Sequence, residues 1–296
     1  MNDFLQDPMA TSRMILRAMR ARRIVRRSLD LPIGPVIAYG HPKTATTSAE
    51  AAISAVPGIR SFHAHVLQPK HFIWRRNNLA PPMPSGVCSE DNPPQWALAD
   101  ALAGSRPVRL VTLVRDPVAV QSSWFFYGMQ RWLQSSRRIN VDLIDEDTLY
   151  SLFHGIFPRD GILNWFDEEW CPLTGHDLED LAGVASEGHA KIEFGPHRAC
   201  VLSSKLEDET KSRILEDFLH LESGSIVFPR KNTAASRPHQ ETYGRIKAMI
   251  SADTRLLDRV YGSRYARLLF SPDELDEFRS HWDGLAAEAT KIDRSS

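Results

Sequence analysis

Cysteine is scarce in this 296-residue chain. The three thiols, Cys88, Cys171 and Cys200, are odd in number, far apart and in no CxxC spacing. That argues against a disulfide framework and a zinc site, and it fits reduced thiols of a cytoplasmic protein. No metal is expected. Long apolar runs are missing as well. None approaches the ~18 residues of a membrane-spanning helix, and no apolar core precedes a small-residue cleavage site near residue 1, so no secretory leader is expected. Net charge is nearly absent at −1, which speaks against a body that binds nucleic acid by charge. Internal repeats and low-complexity tracts are also lacking. What remains is an ordinary globular balance, 42% hydrophobic and 25% charged, which excludes disorder over most of the chain. A chain of this length buries roughly three quarters of its unfolded surface and needs no staples.

The charge that is present is unevenly placed. Residues 1–35 hold Arg13, Arg17, Arg20, Arg22, Arg23, Arg26 and Arg27 against Asp3, Asp7 and Asp30, a balance of +4 that leaves −5 for the rest. Residues 9–29 space Met14, Ala18, Ala21 and Val25 at helical intervals among these arginines, so a basic N-terminal helical arm is expected over 1–35. It reads either as a solvated helix packed on its own domain or as a peripheral contact with anionic lipid head groups. Pro32, Gly34 and Pro35 then break the helix.

From residue 36 onward, strand–loop–helix order recurs in what reads as one domain, 36–296. A strand at Val36–Gly40 is followed by a polar turn and an Ala-rich helix over 47–56, which Pro57-Gly58 ends. Ser61–Leu67 reads as a second strand carrying two histidines, and the proline-rich residues 75–95 as a long surface loop with the reach of a lid. A short helix at Gln95–Leu102 leads to Val108–Val114, a β-branched run suited to a central parallel strand covered on both faces. Asp116-Pro117 is a cap with proline at the first helical position, and that helix runs through Gln134. Helical patterns follow to Trp170, then a strand at Ala199–Ser203 and helices over 207–221, 239–261 and 272–285. The class is α/β, with a central parallel sheet flanked by helices and a helical C-terminal part. Ligands of such sheets bind at the carboxyl ends of strands. The turns at 40–48 and 114–117 are therefore the places to search.

The first turn reads Gly40-His-Pro-Lys-Thr-Ala-Thr-Thr-Ser48 between a strand and a helix start. Amides at a helix N-terminus make an anion site. Lys43 adds a compact cation, and Thr44, Thr46 and Thr47 add hydroxyls. The nucleotide-hydrolase signature GxxxxGK[ST] is absent, because this lysine precedes the turn and no Gly-Lys-Ser/Thr occurs. A Mg-nucleotide kinase or hydrolase is thus a poor match. The competing reading is a threonine-rich cap with one surface lysine. The second turn reads Leu113-Val-Arg-Asp-Pro-Val-Ala-Val-Gln-Ser-Ser123. Arg115 offers a bidentate fork for a phosphate, and Ser123, eight residues on, adds a hydroxyl from the following helix.

HisProLysThrAlaThrThrSer resembles the 5′-phosphosulfate loop of sulfotransferases that use 3′-phosphoadenosine 5′-phosphosulfate. The form ending in serine is similar to that of carbohydrate 2-O-sulfotransferases. Ala45 replaces the common glycine, and Ser48 stands where many members have tryptophan. Arg115 with Ser123 resembles the same superfamily's 3′-phosphate signature, and the two turns follow in the family's order over residues 36–125. More loosely, Gly161–Trp170, with Trp165, Phe166 and Glu169, and the tract from Asn232 through Tyr265 resemble the bacterial capsular polysaccharide synthesis branch. The resemblance implies a P-loop-like three-layer fold. It also implies 3′-phosphoadenosine 5′-phosphosulfate as metal-free donor, held by Lys43, Thr44, Ala45, Thr46, Thr47, Ser48, Arg115, Ser123 and a basic pair, Arg230-Lys231. A carbohydrate or glycolipid hydroxyl is the implied acceptor.

Transfer also needs a base titrating near neutrality, for which histidine is the natural side chain. His63 and His65 share one strand face by their i, i+2 spacing, and in the family that the chain resembles a histidine or glutamate near here commonly serves as base. His65 is favoured because it lies nearer the carboxyl edge; His41 is a weaker choice within the loop itself. Arg75 and Arg76 could meet an anionic acceptor. The alternative to an enzyme is a non-catalytic nucleotide-binding protein that takes part in surface-polysaccharide assembly.

Overall fold

The computed structural model describes residues 19–68, 95–136, 140–155, 160–229 and 239–293. A helix over 19–28 (α1) precedes strand β1, Pro35–Tyr39, and then α2, Thr46–Ser54, and β2, Arg60–Ala64. Next come α3, Gln95–Leu102, β3, Arg109–Val114, and α4, Pro117–Ser136. Helices α5 (Glu146–Gly155), α6 (Gly161–Trp165) and α7 (Cys171–Thr174) follow, with a π-helical turn at Phe166–Trp170, and then α8 (Gly183–Glu187). A hairpin of β4, His189–Phe194, and β5, His197–Ser203, leads to α9, Asp208–Leu219. Four helices close the described chain: α10 (Gln240–Ala252), α11 (Thr254–Tyr261), α12 (Arg264–Leu269) and α13 (Pro272–Asp293).

The five strands form one sheet in the order β2-β1-β3-β5-β4. Every pairing is parallel except β4 with β5. The expected α/β class holds, with a correction: the sheet is not wholly parallel. The antiparallel edge strand His189–Phe194 was not expected, although its alternation and the two-residue turn Gly195-Pro196, with Gly195 at φ 54°, are a hairpin signal. Two further differences concern boundaries. β2 ends at Ala64 rather than Leu67, and the helix expected over 239–261 breaks at Asp253, whose side chain accepts from the Leu256 amide at 3.0 Å and caps α11.

Both faces of the sheet are covered. Val36, Val111, Leu113, Cys200 and Leu202 pack with α2 and α9 on one side. Ile37, Tyr39, Leu110, Val114, Ala199 and Val201 pack on the other with α1, α3, α4 and the C-terminal helices. Near-continuous burial is why β1 and β3 read as unbroken apolar runs. Of the basic segment, α1 buries Ala21, Val25 and Ser28 and leaves its arginines exposed. The loop at 75–94 lies outside the described residues. Among the described residues no helix is long and apolar enough to cross a membrane.

The exit from β3 is tied down by one carboxylate. Buried Asp116 accepts from the Val118 amide (2.9 Å), the Tyr261 hydroxyl (3.0 Å) and Trp282 Nε1 (3.0 Å). It thus pins α11 and α13 to the second turn. Burial pushes this carboxyl above the usual carboxylate range, and the three donors pull against that shift. Asp116→Ala strands these buried donors and is expected to lower stability by about 3 kcal/mol. Trp282→Phe removes one donor together with its need for an acceptor and should cost only about 1 kcal/mol. Urea unfolding at pH 7 measures both.

Candidate functional site

The turn after β1 is built around Gly40. A Cβ there would lie 2.8 Å from Thr46 Cγ2 and 3.0 Å from Thr44 Oγ1, so only glycine lets the chain pass this close to the start of α2. Lys43 and Ala45 both sit at positive φ, 74° and 68°. Ala45 caps α2 in the left-handed conformation at the position where the resembling loops carry glycine. Left-handed residues alternating through a turn aim successive amides into one concavity, the geometry of an anion nest. The first amides of α2, those of Thr46 and Thr47, have no carbonyl within the helix to bond.

The side chains divide sharply. Thr44 is buried and its hydroxyl donates to the His41 carbonyl at 2.8 Å, so that proton serves the loop itself. Thr46 is buried with Oγ1 2.8 Å from His63 Nε2. Thr47 is exposed and Ser48 half-buried. The Lys43 ammonium stands 3.5 Å from the ring centre of Tyr127, a cation–π contact to a side chain that is 40% exposed.

The two turns meet. Arg115 Nη1 donates to the Lys43 carbonyl at 3.2 Å, across 72 residues of sequence. Ser123 is buried two turns into α4. Arg230 and Lys231 lie outside the described residues, as do Arg75 and Arg76.

His63 is the last but one residue of β2, and His65 follows just beyond the strand end. Their rings touch edge-on, with centroids 4.4 Å apart, so the expected shared face is observed. Nδ1 of His65 donates to the Gly40 carbonyl at 2.6 Å, which leaves Nε2 as the basic nitrogen of the neutral ring. His41 is buried against Trp124, with Nδ1 donating to the Pro42 carbonyl at 2.8 Å. Burial lowers the pKa of both His41 and His63 to about 4.

Glu169, in the π-turn, has a role that the resemblance of its tract does not foretell. Its buried Oε2 accepts from the Tyr39 hydroxyl (2.8 Å) and from the amides of Leu67 (2.9 Å) and Gln68 (3.2 Å). The last residue of β1 and the chain leaving β2 are thereby fastened on either side of His65, whose carbonyl also accepts from Trp165 Nε1 at 3.0 Å. A lone carboxylate 102 residues downstream of Leu67 gives no local signal in the sequence. Elsewhere, Asp167, Cys171 and Asp177 bring possible metal-ligand atoms within 4.8 Å of one another. Arg264 already donates to both carboxylates, and the Cys171 thiol is pushed up to about 11, so the cluster is an ion-pair network.

No family model matches the chain, and no curated protein or solved structure matches it.

The two depressed histidines make stability depend on pH. Unfolded, their rings protonate near 6.5; folded, they stay neutral down to about 4. In that window the unfolded chain holds more protons, so stability falls as pH drops from 6.5 to 4. His63→Gln is expected to reduce the slope of unfolding free energy against pH, near pH 5, by about one proton. Urea titrations at a series of pH values read that slope.

Proposed function

We propose that this chain is a sulfotransferase of P-loop-like three-layer fold. It would move a sulfuryl group from 3′-phosphoadenosine 5′-phosphosulfate to a hydroxyl of a carbohydrate or glycolipid. The observation that carries the reading is the Arg115–Lys43 hydrogen bond, which sets two anion-seeking turns side by side at the carboxyl edge of β1 and β3. The donor fits what the chain offers: a nest at Lys43–Ala45, two helix-start amides, and a guanidinium next to them. The donor supplies an activated sulfuryl group on a phosphate leaving group.

The residues of the chain then have distinct tasks. Lys43 stabilises the charge that builds on the bridging oxygen as the sulfur–oxygen bond to phosphate breaks. The amides of Thr46 and Thr47 bind the 5′-side oxygens, with Ser48 at the rim. Arg115, with Ser123, takes the 3′-phosphate in a bidentate grip. His65 Nε2 accepts the acceptor's hydroxyl proton as the new sulfur–oxygen bond forms. No step requires a metal.

The exposed arginines of α1, Arg20, Arg23, Arg26 and Arg27, support a second element of the proposal: a cytoplasmic enzyme that rests peripherally on an anionic surface near a lipid-linked acceptor. Ala21, Val25 and Ser28 are turned inward, and Met19 lies exposed with the arginines, so the outward face is basic with one apolar side chain at its start.

Calorimetry with 3′-phosphoadenosine 5′-phosphate, without metal and with ATP as competitor, tests the reading. Wild type should bind and ATP should compete poorly. Lys43→Ala and Arg115→Ala should each weaken binding about 10- to 100-fold, the loss of a charge-assisted contact. Absence of binding by wild type, or variants that bind as well as wild type, would overturn the proposal. Binding without transfer across a panel of sugars would favour the non-catalytic alternative.

A further inference from the structure

The geometry points to His63 as a positioning residue that turns the Thr46 hydroxyl toward a bound anion, leaving proton abstraction to His65 alone. This inference rests on the reading of the turn as an anion site.

Thr46 is held on two sides. Its methyl fills the space that Gly40 leaves open, where a Cβ would come within 2.8 Å, and its Oγ1 lies 2.8 Å from His63 Nε2. With the rotamer fixed, the one remaining freedom is the direction of the hydroxyl proton. His63 decides it. A neutral imidazole carries one N–H, on either nitrogen. If the proton is on Nδ1, Nε2 accepts, Thr46 must donate to the ring, and the hydroxyl offers an anion only lone pairs. If the proton is on Nε2, the ring donates to Oγ1, and the threonine proton is released to point into the nest. An anion seated at the first amides of α2 therefore favours the Nε2–H tautomer, and that tautomer favours the anion. The coupling is reciprocal by linkage.

Neighbouring hydroxyls and rings are placed differently. The Thr44 proton goes to the His41 carbonyl and Thr47 faces solvent, so Thr46 is the buried hydroxyl of this turn whose direction a side chain sets. His41 bonds the backbone of its own loop, through Pro42. His65 is fastened by Nδ1 to Gly40, so its tautomer is set by a carbonyl and does not respond to Thr46. The burial that keeps His63 neutral keeps the choice of tautomer open through the physiological range. Although His63 and His65 touch, only His65 has a geometry fixed for taking a proton.

The test uses the full chain, with 3′-phosphoadenosine 5′-phosphate as probe. Nitrogen-15 imidazole spectra of wild type should show the His63 signals move toward the Nε2–H pattern as the nucleotide is added, and the movement should vanish in Thr46→Val. By calorimetry, Thr46→Val and His63→Phe should each weaken binding about fivefold, and the double variant should be no weaker than either single one, the signature of a coupled pair. His63→Gln, whose amide can donate at the Nε2 position, should recover most of the loss. A tautomer indifferent to nucleotide, additive losses, or no rescue by glutamine would overturn the inference while leaving the donor site standing. If His63→Phe fails to fold, the wild-type spectra and His63→Gln still decide. A wild type that does not bind the nucleotide would remove the anion site and this inference with it.

Discussion

Neighbouring strands whose chains must leave in opposite directions are the constraint on which this structure rests. β1 lies between β2 and β3. The connection from β1 to β2 runs one way along the sheet, and that from β2 to β3 runs back past it. Right-handed crossovers in opposite directions must lie on opposite faces, and α2 and α3 do belong to opposite apolar layers. The chain therefore leaves β1 for α2 on one face and β3 for α4 on the other, while Arg115 joins the two turns at their start. A reversal of this kind at the carboxyl ends of parallel strands is where open α/β sheets place a ligand crevice. Everything proposed about chemistry is lodged there.

Such a crevice binds anions only if its amides are held in place before the ligand arrives, because backbone that must reorganise gives up the gain. Here the backbone is held against its own preference. Lys43 and Ala45 at positive φ each cost on the order of 1 kcal/mol or more, since a Cβ disfavours that region. Several bonds over-determine them. Arg115 grips the Lys43 carbonyl, Thr44 loops back to His41, and the amides of Ser48 and Ala49 both converge on the Ala45 carbonyl at 3.0 and 3.2 Å. The same arginine that would meet a phosphate thus also braces the turn. For that reason loss of Arg115 would disturb both sites at once, which neither turn read alone would suggest.

How much of this was legible in the sequence follows from range. Local patterns gave β1, α3, β3 and the capped start of α4 to within a residue or so, because continuous burial, small residues and Asp-Pro act within a few positions. The pairing of Lys43 with Arg115 was legible as two motifs in order; their contact was not, since it crosses 72 residues. β2 stops early for a reason no local pattern contains: the amides of Leu67 and Gln68 leave the sheet for Glu169. That is also why His65 lies just past the strand rather than within it. The break at Asp253 and the Gly195-Pro196 hairpin are different, for both are marked locally, by a capping aspartate and by a glycine turn after an alternating strand.

Two buried carboxyl groups complete the frame, each at the carboxyl end of the sheet. Glu169 joins the ends of β1 and β2, and Asp116 joins the end of β3 to α11 and α13. Each accepts from three donors, so neither is a buried polar group left without partners. A fold that needed only rigidity could have used apolar packing. What an apolar side chain cannot do is take several directional donors from different elements at one point and fix their relative positions. Here those donors include backbone amides at the exits of β2 and β3, the segments that carry His65 and Arg115. If the turns hold an anion as proposed, the positive charge of Lys43 and Arg115, and not only their hydrogen bonds, would be needed to offset carboxyl groups placed in the same frame.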